Sequence, residues 1–212
     1  MHTVVLYVHG LWMTGVEGAL LRRRLARLLN AETPVFGYPS VRLGIADNAA
    51  RLVTCLEAIR ADALHLVGHS LGGLVIHEAL GQIDESSLPP GRVVLLGSPI
   101  AGSRAAAAFS RWHIGKTLLG RTVNESLIHA ATRCWRYPRR ELGIIAGTRN
   151  MGLGRLVSRH IAPSDGTVYV DETRLEGARE ARTVPVSHIG LPFSADVARQ
   201  TAGFLRTGNF SC

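Results

Sequence analysis

Leu64-His65-Leu66-Val67 runs directly into Gly68-His69-Ser70-Leu71-Gly72-Gly73, and that hexapeptide into Leu74-Val75-Ile76-His77-Glu78-Ala79-Leu80. The first segment is a short apolar run with strand character and the last reads as a helix. Between them lies a serine flanked by glycines. A strand-to-helix turn this abrupt leaves its tip residue in a strained backbone conformation. It also brings the neighbouring positions so close to other backbone that hydrogen is the tolerated substituent at Gly68 and Gly72. The same geometry aims the free N–H groups of the helix's first turn at any negative charge formed beside Ser70. The stretch therefore reads as a nucleophile elbow. The competing reading is a glycine-rich turn that buries a structural serine.

Outward from this point, strand-like and helix-like segments alternate. Residues 3–8 (Thr-Val-Val-Leu-Tyr-Val) form a β-branched run suited to a strand buried on both faces. Residues 16–30 carry leucines at helical spacing, and 33–38 read as a second strand. Asp47 is the expected N-cap of a helix over 49–61. After the elbow come a helix to residue 83 and strands at 92–96 and 142–146. A last strand is expected at 182–186 and a closing helix at 194–206. This alternation implies an α/β fold, with a minimal, mostly parallel sheet of about six strands and helices on both faces. In such sheets ligands bind at the carboxyl ends of the strands, where His9-Gly10 and Ser70 both fall. The whole chain, 1–212, reads as one domain. The irregular stretch 103–140 is either a small cap over the site or ordinary crossover helices. The glycines of 147–154 fit no nucleotide-binding fingerprint.

The chain carries 46% hydrophobic and 19% charged residues, which suits a packed domain and not a disordered one. Its formal charge of +8 comes almost wholly from arginine, Lys116 being the single lysine. The arginines are scattered and accompany no nucleic-acid motif, so no nucleic-acid partner is expected. Solvated faces are the main reading, with peripheral attraction to an anionic membrane or substrate as the alternative. Cys55, Cys134 and Cys212 are odd in number and irregularly spaced, against a disulfide framework or a metal site. No leader or membrane span is visible, so a cytoplasmic location is expected, with no obligate protein partner.

A serine hydroxyl becomes a useful nucleophile only when a base takes its proton, and a base working near neutrality selects histidine. The histidine in turn needs an acceptor that fixes its tautomer. Of nine histidines, His188 stands after the last expected strand and before the last helix, which makes it the candidate base. Asp165, in the turn Pro163-Ser164-Asp165-Gly166-Thr167-Val168, is the candidate acid. Asp171 and Glu172 are taken as solvated residues at the end of the following run. Two backbone donors must face the developing oxyanion. These are the N–H of Leu71, just after the serine, and the N–H of Leu11, on the loop after the first strand. Gly10 lets that loop approach the substrate, and His9 orients it. Trp12 is an acyl-pocket wall or simply core. Gly10, Trp12 and His69 are the expected substrate-binding residues.

These motifs, in this order, resemble those of a small bacterial lipase or esterase of the α/β-hydrolase family. The resemblance rests on His9-Gly10-Leu11-Trp12, Gly68-His69-Ser70-Leu71-Gly72-Gly73, Ser164-Asp165-Gly166-Thr167-Val168 and Ser187-His188-Ile189-Gly190. Gly97-Ser98-Pro99 with Gly102-Ser103 is similar to the segment that lipases carry after the strand following the elbow. The run 172–179 looks like the approach to the histidine in the smallest secreted lipases. The resemblance implies a three-layer α/β-hydrolase fold and hydrolysis of small-molecule or lipid carboxylic esters, without cofactor or metal. Ser70, Asp165 and His188 would form the triad. An acyltransferase or thioesterase would use the same groups, and a catalytically silent binding module is the reading from a different class.

Overall fold

The computed structural model describes residues 1–103, 134–137, 139–151 and 162–210. The strands are β1 (Thr3–Val8), β2 (Val35–Phe36), β3 (Ala63–His69), β4 (Val93–Leu96), β5 (Leu142–Gly147) and β6 (Glu180–Val184). They form one sheet in the order β2-β1-β3-β4-β5-β6, with every neighbouring pair parallel. The helices are α1 (Ala19–Leu29), α2 (Ile45–Ala58), α3 (Leu71–Gln82) and α4 (Ala195–Thr207).

Strand alternation sorts the core into two layers. Val4, Leu6 and Val8 of β1, with Leu64 and Leu66 of β3, pack under α2 and α3. Val5 and Tyr7 of β1, Val67 of β3 and Val94 of β4 pack under α1 and α4. Because both faces are covered, the central strands are apolar at nearly every position, as the continuous runs in the sequence require. The result is a three-layer sheet with helices on both sides. The chain leaves β1 toward β2 on one side and returns to β3 on the other. The carboxyl ends of β1 and β3 therefore border the crevice where the strand order reverses.

Several boundaries differ from expectation for local reasons. Helix α1 begins at Ala19, not at residue 16. Residues 15–18 are instead a turn held by the Glu17 carboxylate, which accepts from Tyr7 OH at 3.2 Å and from the Gly15 N–H at 2.9 Å. Asp47 is not the cap of α2. Gly44 is, and Asp47 sits in the first turn, where a negative charge still favours the helix dipole. Strand β6 lies at Glu180–Val184 because its register is set by backbone pairing with β5, Gly143 to Glu180 through Gly147 to Val184. It is an edge strand with three exposed central residues, so its hydrophobicity carries little signal. Most of the stretch 103–140, read from the sequence as a cap or as crossover helices, lies outside the described residues.

Leu66 is fully buried at the centre of β3, whereas Leu28 at the end of α1 is 40% exposed. Leu66→Ala is expected to cost about 3 kcal/mol and Leu28→Ala under about 1 kcal/mol, measured by urea unfolding.

Candidate active site

Strand β3 ends at His69 and α3 begins at Leu71, so the whole change of direction is made at Ser70. Its φ of 54° and ψ of −122° lie in a region that side chains rarely adopt. Close packing holds it there. A Cβ at Gly68 would stand 2.7 Å from the Gly73 nitrogen, and one at Gly72 would stand 2.1 Å from the Val8 carbonyl oxygen. The start of α3 is thus pressed against both β3 and the end of β1. The Ser70 N–H is satisfied by the Leu96 carbonyl of β4 at 2.9 Å.

Asp165 and His188 arrive from loops beyond β5 and β6. His188 Nδ1–H donates to Asp165 Oδ2 at 2.7 Å, and the His188 backbone N–H donates to the Asp165 carbonyl at 2.9 Å. The other carboxylate oxygen accepts the N–H groups of Thr167 at 2.9 Å and Val168 at 2.7 Å. With its Nδ1 proton given to the carboxylate, the imidazole presents Nε2 to Ser70 Oγ at 3.0 Å. Asp165 and His188 are both buried, and Ser70 is half-buried. The order Asp165–His188–Ser70 is an arrangement able to draw the hydroxyl proton away as the oxygen attacks.

The loop after β1 approaches the same point. A Cβ on Gly10 would lie 3.2 Å from Ser70 Cβ. His9 Nδ1 donates to the Gly10 carbonyl at 2.9 Å, and His9 Nε2 accepts the Tyr38 N–H at 3.4 Å. The two rings stack with centroids 4.3 Å apart, and Tyr38 OH donates to the His9 carbonyl at 2.7 Å. Trp12 sits at φ 58° with its N–H on Ser40 Oγ at 3.1 Å. The N–H groups of Leu11 and Leu71 have no hydrogen-bond partner among the described residues. Tyr38 and Ser40 brace this loop and have no local sequence signal. Their position just beyond β2, at the carboxyl edge of the sheet, is the only clue.

Three expectations are modified. Trp12 is not core, since it is 61% exposed. His69 is wholly enclosed and does not line an open surface. Its Nε2–H donates to the His188 carbonyl at 3.2 Å, and its ring lies 5.0 Å from that of His188. Glu172 is not solvated but buried, its carboxylate accepting the Tyr169 N–H at 2.9 Å, while Asp171 is exposed. Among the other histidines, His65 lies toward the start of β3 and His77 on α3 faces the Cys134 carbonyl. His113, His129 and His160 lie outside the described residues. Among the described residues, no group of three or more His, Cys, Asp or Glu is disposed to hold a metal ion, and no helix is long and apolar enough to cross a membrane.

Neither a family model nor a curated protein matches the sequence. Solved structures do match its fold. The metagenomic carboxyl esterase MGS0156 superposes with a TM-score of 0.68 at 19% identity, over 90% of this chain and 65% of its own. This chain therefore spans less than two thirds of that esterase's length. The type II thioesterase BorB from the borrelidin biosynthetic cluster gives 0.62 at 15% identity, over 98% of this chain and 92% of its own. The pyrethroid hydrolase PytH gives 0.61 at 12% identity, over 98% and 99%. The fold is that of the α/β-hydrolases.

Burial drives the His65 imidazole down to about 4, helped by Arg92 and Arg140, and the His69 imidazole to about 3, helped by His188. His9 is also lowered, burial outweighing its bond to Gly10. These rings stay neutral in the folded chain, while in the unfolded chain they protonate near the ordinary value of about 6.5. Below that pH the unfolded state binds more protons, so stability falls as pH drops from about 6.5 toward 4. Urea unfolding at pH 7 and pH 4.5 should differ by on the order of 2 kcal/mol or more, and a flat profile across that window contradicts the burial of these rings as neutral groups.

Proposed function

We propose that the protein is a serine hydrolase that cleaves carboxylic esters or thioesters through an acyl-enzyme on Ser70. The observation that carries the reading is the unbroken hydrogen-bond chain from Asp165 through His188 to Ser70, at 2.7 and 3.0 Å. In this mechanism Ser70 Oγ attacks the acyl carbon as its proton passes to His188 Nε2. Asp165 holds the ring in the required tautomer and stabilises the imidazolium. The oxyanion of the tetrahedral intermediate takes the N–H groups of Leu11 and Leu71, which have no partner among the described residues. Collapse breaks the bond to the leaving oxygen or sulfur, which takes the proton from His188. Water then repeats the sequence, losing its proton to His188 and releasing the acid and free Ser70.

Trp12 and Ile189, exposed beside the loops that carry Leu11 and His188, favour a substrate with an apolar acyl or alcohol group. The structural likeness to both a carboxyl esterase and a type II thioesterase supports the reaction class and leaves both leaving groups in it.

Ser70→Ala should lower turnover of p-nitrophenyl esters by roughly 10⁴-fold or more with an unchanged melting temperature. Asp165→Asn should cost on the order of 10³- to 10⁴-fold, and Asp171→Asn little. Full activity in purified Ser70→Ala, or equal losses in the two aspartate variants, contradicts the assignment. A panel of matched esters and thioesters of increasing acyl length, compared by kcat/KM, decides which bond is preferred.

A further inference from the structure

A cavity of about 650 Å³ opens at the end of the sheet opposite Ser70, where β1, β3 and β4 begin and α4 ends. His65 forms part of its wall and is only 8% exposed. His65 Nδ1 accepts the Arg92 N–H at 2.9 Å, which puts the ring proton on Nε2. Nε2 has no partner among the described residues and is not sealed from the cavity. A donor on a largely buried ring is thus presented to the open cavity.

The surrounding charge is mainly positive. Arg92, Arg139 and Arg206 line the cavity, and Arg140 lies behind it, 1% exposed. Among the described residues the Arg140 guanidinium donates to the carbonyls of Leu64 at 2.7 Å and Pro89 at 2.6 Å, and its Nε has no partner there. The Arg139 side chain makes no hydrogen bond or ion pair among the described residues. Glu141 is the only acid in the lining among the described residues, and Arg92 and Arg179 already engage both of its oxygens. Nearby, Glu85 Oε1 accepts the Arg139 backbone N–H at 2.6 Å and the charge of Glu85 acts on Arg140, while Asp84 accepts from Ser86 and lies in the field of Arg139. Burial costs the Arg140 cation more than the charge of Glu85 restores, and an anion placed here lowers that cost. Burial first, then the charges of Arg92 and Arg140, lower the His65 imidazole.

We propose that this cavity binds a small oxyanion, a phosphate or carboxylate group carried on a short apolar body. His65 Nε2–H and the guanidinium groups of Arg139 and Arg206 would donate to the oxyanion, and Leu29 and Leu205 would pack against the body. The site is separate from Ser70 and stands whether or not the proposed hydrolysis does.

The test uses the full chain as Ser70→Ala, so that no probe is consumed. Inorganic phosphate, phenyl phosphate and benzoate are titrated at constant ionic strength while the His65 imidazole resonances are followed by NMR. Saturable shifts, with the His65 titration moving to higher pH in the presence of ligand, are expected. Arg139→Ser with Arg206→Ser should weaken binding at least tenfold. Should that pair unfold the chain, Arg139→Ser alone, whose side chain makes no hydrogen bond among the described residues, should weaken it several-fold. Tighter binding of phenyl phosphate than of benzoate assigns a phosphate ligand, and the reverse order a carboxylate. Shifts that grow linearly without saturation, or arginine variants that bind as tightly as the parent, overturn the proposal.

Discussion

A serine held at φ 54° and ψ −122° between a strand and a helix is the constraint on which the candidate site depends. Such a conformation costs on the order of 1–3 kcal/mol and persists only where the surroundings over-determine it. Here β3 is buried along its whole length, the Ser70 N–H is tied to β4, and the first turn of α3 is wedged against the Val8 carbonyl of β1. That last contact does two things. It fixes the helix start, and it brings the loop carrying Gly10 and Leu11 within van der Waals reach of Ser70. The hydroxyl and the N–H groups of Leu11 and Leu71 are therefore placed by the same packing.

The polar groups behind the serine follow from burial. A carboxylate as enclosed as Asp165 must be compensated, and it accepts two backbone N–H groups besides the His188 ring. That leaves His188 with one orientation and one free lone pair, directed at Ser70. The enclosed ring of His69, held neutral by burial, supports the His188 backbone without adding a charge beside it. His9 uses the same device on the other side. It is neutral and stacked on Tyr38, and it grips the Gly10 carbonyl of the peptide whose N–H belongs to Leu11.

The parts of this arrangement that local chemistry dictates were legible in the sequence. The apolar run into Gly68-His69-Ser70 and out into α3 specifies strand, turn and helix at once. Chain order then singles out Asp165 and His188, which meet Ser70 in the structure. Contacts between distant segments were not legible. Tyr38 and Ser40 brace residues 28 or 29 positions away. Glu172 looks like a solvated acid until the turn at Tyr169 folds over it. The edge strand β6 carries charged, exposed residues, so its register came from pairing and not from pattern. The burial of His65 and the arginines gathered around it arise from strand order, which no local pattern encodes.

The central claim is that Ser70 is a nucleophile activated by His188. Its most direct measurement is intact-mass analysis after treatment with a fluorophosphonate probe, followed by peptide mapping of the adduct. The account predicts one adduct per chain, on Ser70, formed rapidly in the parent protein and at a strongly reduced rate in His188→Ala. A chain that remains unlabelled while folded, or an adduct on another residue, would contradict it.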